Sequence, residues 1–287
     1  MNLTPIGLCA LGLLSRALAA APVEYRYLDS VADPKQWGPA ECEVMASTHR
    51  VWEHPALRMR IPVDFSSGEK AYPIGWPRMY LNLKADGSAW REYDRLEFQL
   101  FCESATRTNL PKRPLMFHLY GSTGEKRLYP LDIAELGQWR TFTVNLPDLG
   151  FTGEVARLGF NINESDYADK DLVDFHLGGF RLARATAAQI TELKAAPALM
   201  AGSRVLPVEV VAEGPLDKLA AGLPFQLRCG DRIALSRTMP LARGRQTLYL
   251  PLGGTALDPG VYTLAASPDD PVSRREAAVT VTSSPWR

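Results

Sequence analysis

Two short alternations set unlike chemistry on opposite sides of a chain segment. In Leu115-Met116-Phe117-His118-Leu119-Tyr120, the residues Leu115, Phe117 and Leu119 share one phase, and Met116, His118 and Tyr120 share the other. In 155–163, Leu158, Phe160 and Ile162 form the apolar phase, with Gly159, Asn161 and Asn163 opposite. Side chains alternate across a strand, so two such strands side by side would gather His118, Tyr120, Asn161 and Asn163 into one patch. Aromatic rings stack on the C–H faces of pyranose rings, while amides and imidazoles hydrogen-bond sugar hydroxyls. The predicted partner is therefore a polysaccharide or oligosaccharide. Trp76 and Tyr80, in the aromatic run Tyr72-Pro73-Ile74-Gly75-Trp76-Pro77-Arg78-Met79-Tyr80, extend the candidate set. Pro73 and Pro77 would stiffen that loop and lower the entropy lost on binding. The same residues could instead plug the end of a sandwich.

Other clusters point elsewhere. In Arg95–Glu103, Leu96, Phe98, Leu100 and Cys102 face a core, and Glu97, Gln99, Phe101 and Glu103 are expected to meet solvent or covering chain instead of ligand. Trp90 and Tyr93 are expected to pin the preceding loop to the sandwich edge. Glu164, Asp166, Asp169 and Asp171 could offer oxygens to calcium, but the spacing of a helix–loop–helix calcium loop is missing and Lys170 interrupts the run. A solvated turn is the expectation, with no cofactor and no metal. The chain has no G-x-S-x-G and no H-E-x-x-H motif, which removes the common serine-hydrolase and zinc-protease arrangements. No two carboxylates fall in phases that pair them across a groove, as a glycosidase requires. A lyase that uses His118 and Tyr120 with a nearby arginine stays open. Convergence of those three would favour it, an aromatic-lined groove a binder, and a flat charged sheet a spacer.

The elements that must position these groups are short strands. Apolar alternations at 41–47, 56–63, 77–83, 95–103, 114–120, 126–131, 139–146, 155–163 and 174–183 are separated by turn signals such as Ser66-Ser67-Gly68, Asp86-Gly87 and Gly121-Ser122-Thr123-Gly124. That pattern predicts an all-β sandwich. Thr186 and Gln189 make a capping box before Ala187–Lys194, predicting a short helix, and 195–203 is then expected to be a linker. Five more alternations between 206 and 281 predict a second, smaller sandwich.

Between Trp37 and Arg184 the order of features resembles the galactose-binding-like jelly roll of carbohydrate-binding modules. The resemblance rests on Trp90, Tyr93, Leu96, Phe98 and Leu100 as W-x-x-Y-x-x-L-x-F-x-L, on the Trp139-led segment 139–146, and on the closing segment 175–182. It implies non-catalytic glycan binding, alone or as the accessory N-terminal part of a carbohydrate-active enzyme. Gly178-Gly179 stands where the family often carries an aspartate, so no metal site is inherited there. A purely structural spacer of an extracellular assembly is the alternative.

The expected organisation is a signal peptide over 1–21, a galactose-binding-like jelly roll over 22–185, a short helix and linker over 186–203, and an immunoglobulin-like β-sandwich over 204–287. Leu3–Leu14 is apolar and the small residues from Ala17 to Ala21 have cleavage-site spacing, which predicts a secreted or periplasmic protein. No stretch predicts a membrane span. Lys and Arg total 32 and Asp and Glu total 32, so there is no bulk field to attract nucleic acid or an anionic surface. Without Cys9, Cys42, Cys102 and Cys229 remain. One disulfide between Cys42 and Cys102 is permitted in an oxidising compartment, although the phase of Cys102 suits a small core residue.

Overall fold

The computed structural model describes residues 22–66, 74–83, 90–271 and 273–283. The expected signal peptide and the turn signals at 67–68 and 86–87 lie outside the described residues, as do Tyr72 and Pro73. The described chain forms two β-sandwiches, each around its own apolar core. In the first, sheet A has the order β3 (Glu43–Val51), β4 (His54–Pro62), β11 (Leu172–Ala185), β6 (Arg95–Ser104) and β9 (Arg140–Asn145), and β1 (Val23–Tyr27) also pairs with β11. Sheet B has the order β2 (Gly38–Ala40), β5 (Arg78–Asn82), β10 (Val155–Asn161), β7 (Met116–Gly121) and β8 (Lys126–Pro130). From β4 to β7 the chain crosses between sheets at every strand, and again from β8 through β11, giving a jelly roll. The apolar phases meet in the middle: Leu96, Phe98, Leu100, Cys102, Leu115, Phe117, Leu119, Leu158, Phe160 and Ile162 are all fully buried. Phe98 meets Phe117 at 5.1 Å and Phe180 at 5.0 Å, with Phe117 and Phe160 4.9 Å apart. Trp90 and Tyr93 are buried in the same core.

The second sandwich has a three-stranded sheet, β12 (Gln189–Ala195), β14 (Val205–Glu213) and β17 (Gly244–Pro251). It faces β13 (Ala198–Met200), β19 (Arg275–Thr282), β18 (Gly260–Ala266), β15 (Leu223–Cys229) and β16 (Arg232–Met239). The buried Tyr262 hydroxyl donates to the Asp258 carbonyl at 3.1 Å. The bond ties the start of β18 to the turn that precedes it.

The expected helix over Ala187–Lys194 is instead mostly strand β12 (Gln189–Ala195), and the expected linker holds β13, which pairs in parallel with β19. A lone helix of eight residues is marginal in water, whereas β14 offers this segment a full antiparallel ladder. The Thr186 hydroxyl does not cap anything; it donates to the Pro22 carbonyl at 3.0 Å. Strand β16 was not anticipated because, at the edge of its sheet, Arg232, Ile233, Ser236, Arg237 and Thr238 are exposed in both phases and no alternation shows.

A buried ionic junction joins the sandwiches. Asp94 is ion-paired with Arg243, whose Nε lies 2.9 Å from Oδ1, and accepts hydrogen bonds from Gly214 N (3.2 Å) and from Ala185 N (2.8 Å). Arg243 also donates to the Gly214 and Arg91 carbonyls at 2.9 and 2.6 Å. Cys42, Cys102 and Cys229 are free thiols; Cys102 is a core residue, and burial pushes the Cys42 thiol up to about 11. Among the described residues no helix is long and apolar enough to cross a membrane.

Candidate functional site

Strands β7 and β10 are neighbours. Gly159 lies opposite His118 and Arg157 opposite Tyr120, while β5 brings Tyr80 opposite Gly159 from the other side. The outward phase of sheet B therefore joins Tyr80, His118, Tyr120 and Arg157. Glycine at 159 is required by this packing. A Cβ there would lie 2.5 Å from both Cδ1 and Cε1 of Tyr80, so the Tyr80 ring rests directly on the backbone of β10. Tyr80 meets Tyr120 edge-on, with centroids 6.1 Å apart and planes at 70°. The Arg157 guanidinium lies 5.8 Å from each ring, and Lys126 Nζ, from the facing strand β8, is 5.2 Å from Tyr120. Cations so placed are attracted by the ring quadrupole and hold the rings in position.

His118 supports this arrangement from beneath. It is 3% exposed, and its Nδ1 lies 3.2 Å from the Tyr120 hydroxyl. Burial, reinforced by the positive charge of Lys126, lowers its pKa to about 4 against a weaker opposing hydrogen bond to the Asn161 side chain. The ring is neutral at physiological pH. Burial, helped by a bond to Tyr120, also raises the Tyr80 phenol, which stays protonated. Asn161 is 5% exposed, and its Nδ2 donates to the Ile162 carbonyl at 3.1 Å.

The structure brings His118, Tyr120, Tyr80 and Asn161 onto one sheet face. Asn163 lies past the last paired residue of β10, where its amide donates to Asp166 Oδ1 at 3.2 Å. Trp76 stands on the approach to β5, 45% exposed, with the Arg78 guanidinium 5.1 Å from its ring. Its loop is held by Glu41, which accepts the Trp76 amide, and by Glu164, which accepts the Gly75 amide at 2.5 Å. Sequence reasoning missed Arg157 and Lys126. Extending the outward phase two residues before Gly159 reaches Arg157, and the tight turn after Gly121 returns Lys126 opposite Tyr120.

The acidic loop holds its own chain. Glu164 accepts amides of Asp64 and Gly75, Asp169 accepts the Phe65 amide, and Asp171 accepts the Ala168 amide and an Arg107 bond. Sheet A carries a cluster that sequence reasoning did not assemble. Glu97 is covered by the chain through Arg181 at 2.8 Å. Phe101 packs against His49 (5.1 Å), Trp139 (5.3 Å) and His176 (5.7 Å). Glu103 lies 3.0 Å from His176 Nε2. The outward phase of 97–103 is thus a mixed surface of aromatic, imidazole and carboxylate groups.

No protein-family model matches the chain, and no curated protein matches it. Solved structures with a similar course include a β-1,2-glucanase from Parabacteroides distasonis, at 13% identity and a TM-score of 0.38, over 92% of this chain and 37% of that one. An exo-β-agarase matches over 53% of this chain and 23% of its own, at 9% identity and a TM-score of 0.38. The chain thus spans well under half of these two enzymes. A CBM27 module from Caldicellulosiruptor saccharolyticus, solved with mannohexaose, matches over 57% of this chain and 97% of its own, at 10% identity and a TM-score of 0.30. Likenesses of this size assign neither a family nor a ligand.

Proposed function

We propose that this is an exported, non-catalytic carbohydrate-binding protein, or the accessory part of a larger carbohydrate-active enzyme, that holds an oligosaccharide or polysaccharide on the outer face of sheet B. One observation carries the reading: the Tyr80 ring lies against the bare backbone of Gly159. A ring seated this way offers its other side as a platform for the C–H face of a sugar. Tyr120 meets it edge-on, and Arg157 and Lys126 supply donors for ring and hydroxyl oxygens. The immunoglobulin-like second sandwich is the spacer that presents this face, held at a fixed angle by Asp94 and Arg243. Export is carried by the apolar Leu3–Leu14 segment and the small residues after it.

The test is binding of the mature protein to a broad glycan array, repeated with Tyr120→Ala. Binding that is lost in the variant at an unchanged melting temperature supports the reading. No binding to any glycan refutes it and leaves the spacer role.

A second reading rests on the approach of His118 to Tyr120 and of Arg157 to the same ring. In a lyase, Tyr120 as its phenolate would take the proton next to the sugar carboxylate while Arg157 stabilises the developing charge, and the phenol so formed would return the proton to the glycosidic oxygen as the C–O bond breaks and the double bond forms. His118 is too buried to touch substrate and would act only through Tyr120. Shortening of an acidic polysaccharide with appearance of unsaturated ends would establish this reading over simple binding.

A further inference from the structure

We propose that His49, Glu103 and His176, on the outer face of sheet A, form a three-ligand site for a divalent transition ion of the zinc class. One ligand atom from each residue lies within 4.8 Å of the other two, and His176 Nε2 is already 3.0 Å from Glu103 Oε1. Zinc bound at about 2.0–2.1 Å to nitrogen and oxygen in a tetrahedron holds its ligands roughly 3.3 Å apart. The widest gap thus closes by rotation of His49, which is half-buried, and of Glu103, which is exposed. Two imidazoles and a carboxylate form a donor set that suits zinc and leaves a fourth position open.

The surroundings have the features of a supported ligand set. His176 is 2% exposed, and its Nδ1 lies 2.7 Å from Ser47 Oγ. Ser47 Oγ also accepts the His49 amide at 3.0 Å, so one hydroxyl ties both histidines to β3. A hydroxyl can accept as well as donate. It can therefore accept a hydrogen bond from the Nδ1–H of His176, which leaves Nε2 unprotonated for an ion, and this is how outer partners orient ligating histidines. Phe101 and Trp139 wall one side, with Trp139 5.8 Å from His49. Arg58, the cation paired opposite His176, is largely matched by Asp174 through bonds of 2.8 and 2.5 Å. The pieces come from β3, β6 and β11, three strands of one rigid sheet. The site is separate from sheet B and does not depend on the glycan reading.

The test uses the tag-free mature protein, dialysed against chelator and titrated with Zn²⁺, with Co²⁺ as the spectroscopic probe. His49→Gln and Glu103→Gln are the variants, because both positions reach solvent and neither fills the core. One equivalent of Zn²⁺ is expected in the wild type, with a higher melting temperature. Each variant should bind at least about tenfold more weakly, and Co²⁺ should show the intense visible bands of a four-coordinate site in the wild type alone. Absence of Zn²⁺ binding, or binding that both substitutions leave unchanged, overturns the assignment.

Discussion

Replacing Gly159 with alanine isolates the proposed platform from everything else on sheet B. The added Cβ would sit 2.5 Å from two carbons of the Tyr80 ring, and carbon atoms rest at about 3.5–4.0 Å. The ring must therefore lift by roughly 1–1.5 Å on that side, tilting away from Tyr120 and from the Arg157 guanidinium that both rings share. A radial gap of about 0.5–1 Å already forfeits a quarter to a half of a dispersion contact. An aromatic contact adds about 0.5–1.5 kcal/mol beyond area burial. Misplacing the ring and its shared cation together should cost about 1–2 kcal/mol of glycan affinity, or roughly 5–30-fold in Kd. The fold should be spared. The clash is with a side chain able to swing toward solvent, and alanine favours a strand interior over glycine by about 0.5–1 kcal/mol. Isothermal titration against the best ligand from the array would measure the loss. A cycle with Tyr80→Ala supplies the control, because Gly159→Ala should have almost no effect once the ring is gone. Unchanged affinity in Gly159→Ala, at unchanged melting temperature, would refute the platform.

Arg243→Ala leaves Asp94 as a buried carboxylate held only by two amides, a change that typically costs about 3–5 kcal/mol. Calorimetry should show a melting temperature lower by roughly 10 °C and a transition that splits as the two sandwiches uncouple. His118 has a folded-state pKa of about 4, below its ordinary value near 6.5. Its stabilising contribution is therefore complete above about pH 6.5 and is lost as pH falls through 4, because the unfolded chain takes up the proton first. The full loss is on the order of 3 kcal/mol. His118→Gln should flatten the acid limb of urea-denaturation stability between those pH values, and His176, depressed in the same direction by burial, should retain part of the slope.

The strands of both sandwiches were legible because burial imposes period two on every one whose inner phase is apolar. The 96–102 and 115–119 phases emerge fully buried for that reason. Where the inner phase is short or the outer phase polar, as in β12 and β16, propensity and capping signals pointed elsewhere and only the partner strand decided. The sheet B patch was partly legible, since His118, Tyr120 and Asn161 follow from two local phases. Tyr80 was named from its aromatic run, but its seat was not legible, because nothing local to Gly159 says that the ring crossing it comes from nearly eighty residues earlier. The sheet A cluster was hidden for a different reason. Strand β3 shifts register between Ala46 and Arg50, and in this irregular stretch Ser47 and His49 both reach His176. An alternation count run through that stretch assumes an unbroken ladder and cannot locate such a shift. Irregularities in a ladder re-aim side chains. If the irregularity serves to place His49 beside His176, deleting Thr48 to remove one of the two extra residues that β3 carries there should abolish Zn²⁺ binding while β4 and β11 keep their pairing. Equal Zn²⁺ binding after the deletion would show that the register shift has no part in building the site.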